Sequence, residues 1–311
     1  MTRGTTDPAA AVALPPADLG AARQPMSRSR VAVLTLLAMM AFAGNSLLCR
    51  AALKHTAIDA ASFTAIRIVA GALVLALIVR WRDGERVCAG NWPSSFALFV
   101  YAAAFSFSYV SLSAATGALL LFGAVQATMI GYGLWIGERL QPRQTAGLVL
   151  ALAGLVGLLL PGLAAPPVLG SALMILAGVA WGVYSLRARG SGDPLQVTAG
   201  NFMRAVVPAA GLSALTLAWA AVDAQGVALA IASGALASGL GYAVWYTALR
   251  GLKVTSAATV QLSVPAIAAA GGIVLLDEAV SLRLLAASAA ILGGIALVVV
   301  DWQRDARSEK P

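Results

Sequence analysis

The chain has 311 residues, of which 60% are hydrophobic and only 11% are charged. A water-soluble fold of this length lacks the polar surface to cover so much apolar mass, so the composition excludes a soluble enzyme and points to an integral membrane protein. The net charge of +8 would suit a nucleic-acid partner, but the basic residues are scattered among short breaks between apolar runs, which excludes that partner.

Residues 1–27, rich in Ala, Pro and Arg, are expected to form a disordered tail. "RSR" and the following apolar run with "AFAG" (Ala41 to Gly44) mimic a secretory signal. Cleavage there would leave an odd number of spans, so the run is read as the first one. A spanning helix needs about 20 apolar residues, and ten such segments follow: 31–49, 61–79, 93–110, 114–136, 144–160, 168–186, 197–219, 227–249, 255–276 and 282–300. The breaks between them, such as "RWRDGER" (80–86), "PGLAAPP" (161–167) and "RARGSGDP" (187–194), leave no room for a soluble domain. With the N-terminus inside, inner loops and tails hold most of the Lys and Arg. Outer loops hold only Arg50, Lys54 and Arg283, while Arg67 and Arg204 lie within spans. That bias puts both termini, including a tail of 301–311, in the cytoplasm, and the protein in the inner (plasma) membrane.

Two stretches read almost alike: "GERLQPRQTAGLVLALAGLVG" from Gly137 and "DEAVSLRLLAASAAILGGIAL" from Asp277. A shift of 140 positions sets Glu138 on Glu278, Arg143 on Arg283, Gly154 on Gly294 and Thr116 on Ser256; with a slip of a few residues, Arg67 falls on Arg204. The expected fold class is therefore an all-α membrane protein of ten transmembrane helices in two five-helix repeats, 31–160 and 168–300. Five is odd, so the second repeat enters from the opposite face and the halves are inverted. Such symmetry suits a carrier that alternates between inward-open and outward-open shapes better than an enzyme.

"YVSLSAATGALLLF", "IGERLQPRQTAGLVLALAGLVGLLL" and "ALRGLKVTSAATVQLSVPAIAAAGGIVLLDEAVSLRLLAASAAILGGIAL" together resemble the EamA family of the drug/metabolite transporter superfamily over about residues 31–300. The resemblance implies ten helices, inverted repeats and a central cavity lined by the first, third and fourth helices of each half. It also implies a Pro in mid-fourth helix of each repeat. Here Pro265 supplies it in the second copy, while the first has Val125 and Gln126, so the halves are expected to differ in shape at the cavity.

Polar groups in mid-span are costly and so draw a functional reading first. Asn45, Gln126 and Gln261 are candidate substrate ligands, the two glutamines facing each other across the cavity; the alternative is bonding between helices, which also covers Ser106, Thr128 and Ser263. Tyr101, Phe105 and Tyr109 recur every four residues on one face of the third helix. With Trp181, Tyr184, Tyr242, Trp245 and Tyr246 they offer an aromatic wall, in which Tyr101, Phe105, Trp181, Tyr184 and Trp245 are the candidate contacts. Trp81, Trp92, Trp219 and Trp302 are read as interfacial anchors. Arg67 and Arg204 are read as structural or gating residues that snorkel to the nearer interface, with carboxylate binding as the alternative. Glu138 and Glu278 are read as a latch, each favouring the start of the helix that follows and within reach of the Arg five residues later.

Cys49, Cys88 and the single His55 provide no metal-ligand spacing and no nucleophile–base set, so no cofactor, metal or catalytic residue is expected. The 13 acidic residues all fall in loops, tails or span ends, leaving no conventional mid-membrane proton relay. The expectation is a monomeric carrier exporting small amphiphilic metabolites, amino acids or relatives foremost. The alternatives are a carrier of phosphorylated or nucleotide-linked sugars, which would want more basic residues in the cavity, a lipid enzyme and a channel.

Overall fold

The computed structural model describes residues 26–84, 87, 89–137, 140–160, 165–188, 192–252, 260–279 and 281–308, the last ten of these as backbone only. Among the described residues the chain forms ten helices: α1 Arg28–His55, α2 Ala60–Asp83, α3 Trp92–Tyr109, α4 Ala114–Trp135, α5 Pro142–Leu159, α6 Val168–Arg187, α7 Pro194–Leu215, α8 Ala224–Leu249, α9 Ser263–Leu276 and α10 Leu282–Ser308. Six of them (α1, α2, α4, α5, α6 and α8) are long and apolar enough to cross a membrane on length and composition, and α9 and Leu282–Val298 of α10 are shorter apolar helices. α3 and α7 stand outside both sets; their Trp, Tyr, Ser, Pro and Asn residues dilute the apolar content. The protein is thus an all-helical, multi-pass membrane protein.

Local sequence explains most of the helix starts. Asp59, Asn91, Ser113, Asp193, Asp223 and Ser281 each accept a backbone N–H from the first turn of the following helix. Each such cap is worth about 1 kcal/mol. At α5 the side chain of Gln144 reaches back to the backbone N–H of Gln141 at 2.9 Å. Several helices overrun the expected spans. α1 continues past residue 49 to His55, so Arg50 and Lys54 lie on the helix rather than in a loop, and α10 runs on through "DWQRDARS" instead of ending at 300. Glu138 and the start expected for the ninth span at 255 lie outside the described residues.

The principal packing partners are α2 with α7, α5 with α10, α3 and α4 with α6, α1 with α8 and α9, α4 with α9, and α2 with α8. Without a hydrophobic drive between helices in lipid, close approach of small residues sustains such contacts. The two like phrases meet here. A Cβ on Gly147 would lie 2.6 Å from the carbonyl oxygen of Gly294, and one on Gly154 would lie 2.8 Å from Cβ of Ala290. Leucines on the outward faces, Leu73 and Leu77 of α2 among them, remain exposed for lipid.

Contacts sort the loops into two ends. At one end Glu278 follows α9, Arg50 lies in the last turns of α1, and α4 begins; at the other, Asp83 ends α2 close to Asp193 and Gln196 at the start of α7. These are called the Glu278 end and the Asp83 end below.

Candidate functional site

A cavity of about 300 Å³ lies between α1, α3, α4, α6, α8 and Gln261, just before α9. It runs from mid-depth, at Asn45 and Phe105, toward the Asp83 end, at Ala188 just after α6 and Leu249 on α8. Of the side chains expected to contact substrate, it gathers Asn45, Tyr101, Phe105, Trp181, Tyr184, Trp245 and Gln261. None of the described residues that line it is charged.

Aromatic rings form one wall. Trp181 stacks on Tyr242 (centroids 5.6 Å apart, planes at 21°) and on Tyr184 (5.2 Å, 28°), and Tyr101 packs beside Trp181 at 4.9 Å. Phe42 of α1 meets Trp245 edge-on at 5.9 Å. Hydroxyls fix the rim. Tyr184 donates to Thr198 of α7 at 3.3 Å, and Thr198 and Tyr246 share a bond of 2.8 Å. At mid-depth, Asn45 uses both ends of its amide: its nitrogen donates to the Tyr101 hydroxyl at 3.3 Å, and its oxygen accepts from Ser233 at 2.6 Å. Ser233 opens a π-helical stretch of α8, Ser233–Leu240. Wide turns of this kind re-aim side chains and recur at functional sites; this one presents Ser233 to Asn45 and Ala237 and Ser238 to the cavity.

Gln126 is displaced from its expected place. On α4 the cavity face is Leu121, Phe122, Val125 and Met129, whereas Gln126 shares the other face with Gly123, Ala127 and Ile130, toward α5 and α10. One residue turns a helix by about 100°, so Val125 occupies the wall and Gln126 does not face Gln261. Ser106, Thr128 and Ser263 donate to backbone carbonyls of their own chain segments three or four residues back. Pro265 lies in the first turn of α9, just after a turn at Leu262 that separates α9 from the helical residues Val260 and Gln261. With no N–H to give, it leaves the carbonyl of Gln261 without its helical donor, at the edge of the cavity.

The two span arginines differ from expectation and from each other. Arg204 donates to the carbonyls of Ala89 (2.7 Å) and Gly200 (3.0 Å), tying the α2–α3 connection to α7. Arg67 does not snorkel. It is 2% exposed, its guanidinium lying 5.4 Å from the Tyr101 ring centroid and 4.9 Å from that of Phe105.

At the Glu278 end the expected pairing of Glu with the Arg five residues on is replaced by longer-range contacts. Asp277 takes a left-handed backbone (φ 50°), and the Glu278 N–H closes on the carbonyl of Gly272 at 3.0 Å, which ends α9 and turns the Glu278 side chain back into the bundle. There it meets Arg50 at 3.1 Å and accepts the backbone N–H of Ala114, at the start of α4, at 2.8 Å. The acid thus serves a helix N-terminus, but that of α4 rather than of α10, which Ser281 caps. Arg50 also donates to the carbonyl of Tyr109 at 2.9 Å, Lys54 to that of Leu276 at 3.0 Å, and Arg283 to that of Gly157 at 3.0 Å, covering the end of α5. Sequence reading set Arg50 aside as a loop residue; its place one turn beyond the buried Ser46 on an unbroken helix puts it on the face toward the bundle.

Residues 168–300 match the EamA-like transporter family. An uncharacterized protein of Pseudomonas aeruginosa, PA1977, is 57% identical over 275 residues, 88% of this chain and 96% of that protein. An uncharacterized transporter of Archaeoglobus fulgidus is 23% identical over 230 residues, 73% of this chain and 82% of its own length. A protein known by crystal structure shares the fold, with a TM-score of 0.61 and 21% identity over 89% of this chain and 100% of its own.

Proposed function

Because this chain belongs to the EamA-like transporter family, we infer that it carries small amphiphilic metabolites, amino acids or their relatives foremost, out of the cell by alternating access. The observation that bears most weight is the uncharged, aromatic-walled cavity of about 300 Å³, which runs toward the Asp83 end while charged contacts of Arg50 and Glu278 tie the Glu278 end together. Its volume is at the lower limit of ligand pockets, which favours a small metabolite. Its stacked rings favour an apolar or aromatic body.

The helix pairing supports an inverted repeat. α2 meets α7, α5 meets α10, and the contact of α3 with α6 is matched by that of α8 with α1, as exchange of equivalent halves requires. In this reading all ten helices span the inner membrane, both termini are cytoplasmic, the Asp83 end faces the cytoplasm, and the protein works as a monomer. A sugar-phosphate cargo is disfavoured by the lack of basic side chains among the described lining residues, and a lipid enzyme by the lack of a nucleophile paired with a base among them.

Purified protein sealed into vesicles decides the matter. Saturable flux of L-phenylalanine or L-leucine that accelerates when the same amino acid is present on the far side is expected of a carrier. Flux that never saturates would indicate a channel, and chemical conversion without flux would indicate an enzyme.

A further inference from the structure

Arg67 is the one charged residue beside the cavity wall whose charge no other part of the described structure answers. Its Nε and one terminal nitrogen have no hydrogen-bond partner, although the residue is almost wholly buried. The ion pairs among the described residues lie at the ends of the bundle, Arg50 with Glu278 and Arg82 with Asp83 and Asp193, and none includes Arg67. The rings of Tyr101 and Phe105 attract the cation. An aromatic face is still no acceptor for the N–H groups, and a buried cation with open donors is stable only when something supplies the missing negative charge. Both rings also line the cavity, so they are the partition between the guanidinium and whatever the cavity holds. The Tyr101 hydroxyl takes a long bond of 3.3 Å from Asn45 and faces Arg67 itself, a light constraint on its side-chain rotation.

We propose that Arg67 is the counter-charge for one carboxylate on the transported molecule, reached when Tyr101 swings aside. This deepens the carrier reading and rests on it: the cargo is an amphiphile with a single carboxylate, with or without an amine, whose apolar body lies on the Trp181–Tyr242 wall. It departs from the reading of Arg67 as a snorkelling or gating residue, because its free donors and its place behind the wall serve a ligand and not an interface. Arg204, which donates to the backbone carbonyls of Ala89 and Gly200, has no such part.

Three probes that share one ring separate charge from shape: phenylacetate, phenylacetamide and phenethylamine, added to the full-length protein in detergent while its melting is followed. Phenylacetate is expected to raise Tm at a concentration roughly tenfold or more below that needed by the amide, the size of effect a charge-assisted hydrogen bond carries, and phenethylamine least of all. Arg67→Met removes the preference, weakening the response to the acid far more than the response to the amide; Arg67→Lys keeps part of it. A wild-type protein that responds equally to acid and amide overturns the proposal without any variant, and so does an Arg67→Met protein that still prefers the acid. If Arg67→Met does not fold, the wild-type comparison and Arg67→Lys still decide. Flux of all three probes in sealed vesicles separates the two levels of inference. Transport of the amide with no preference for the acid leaves the carrier and removes the Arg67 assignment. An Arg67-dependent shift with no saturable flux of any probe leaves the anion site and removes the carrier. No binding of any probe removes both.

Discussion

At the Glu278 end, the side chains of Arg50 and Glu278 are 13% and 7% exposed and tie α1 and the end of α9 to α3 and α4; at the Asp83 end, Arg82, Asp83 and Asp193 are 32%, 26% and 35% exposed and join only α2 to α7. The chemistry is the same and the depth is not. Exposed ion pairs contribute about 0–1 kcal/mol, whereas removing one partner of a buried pair costs about 3–5 kcal/mol. The comparison teaches that one end is held by desolvated charge and the other by buried amides and backbone, with its charges as a solvated fringe. A carrier must open each end in turn, so the two openings would draw on different physics.

The largest effect is expected from Glu278→Ala, which strands Arg50 and uncovers the start of α4. Stability should fall by about 3–5 kcal/mol, read as thermal melting in detergent. Glu278→Gln should fall less, since an amide oxygen still accepts from Ala114. A double-mutant cycle with Arg50→Met should show coupling well above that of any pair at the Asp83 end. Additive effects there would break the comparison at its stronger member.

Next comes Asn201→Ala. Asn201 is fully buried, and its oxygen accepts the backbone N–H of Asn91 at 2.9 Å and lies 3.3 Å from the Ser95 hydroxyl. Leaving the Asn91 donor unpaired should cost about 1–3 kcal/mol. A loss as large as that of Glu278→Ala would mean that depth alone does not rank the two ends.

Much of this fold was legible because ten apolar runs of spanning length leave few alternatives, and because Tyr101 and Phe105 at a spacing of four must share a helical face. What stayed hidden is tertiary. α4 is apolar on all sides, so nothing local says whether Val125 or Gln126 meets the cavity. Arg67 two turns into α2 reads as a snorkelling residue until the rings of α3 are seen to enclose it. The partner of Glu278 is 228 positions away, while the local pattern offered Arg283 five residues on. The overrun of α1 beyond residue 49 was concealed by Arg50 and Lys54 themselves, since charges inside a helix mark a span end by composition alone.

Asp59 gives a smaller and pH-dependent effect at the Glu278 end. It caps α2 through Ala61 and Ser62 and joins the loop before α8 through Ala221. Burial pushes its carboxyl up, but hydrogen bonds from Ser62, Ala221 and Ala61 outweigh that and hold it below the usual Asp value. The folded pKa being depressed, its stabilisation is whole above the ordinary value of about 3.9 and is lost as pH falls through the lower folded value. Asp59→Ala should cost about 1 kcal/mol near neutral pH, and the gap in Tm between wild type and variant should close on acidification below that range. A gap that widens in acid would reverse the assignment of those bonds.

The smallest expected effect is that of Asp83→Asn, and it is the most direct test of the fringe. Asp83 accepts from its neighbour Arg82 at 2.6 Å and from Gln196 of α7 at 2.9 Å. An asparagine oxygen can still accept from Gln196, and Arg82 keeps Asp193 as a partner across the same gap. Adjacent residues need no fold to meet, so the Arg82–Asp83 contact survives partly in the unfolded chain and cancels from the difference. No resolvable change in Tm is therefore expected, at low salt or high. A drop comparable to that of Asn201→Ala, abolished by salt, would show that α2 and α7 are held together by charge after all, and the contrast between the two ends would reduce to how many ion pairs each contains.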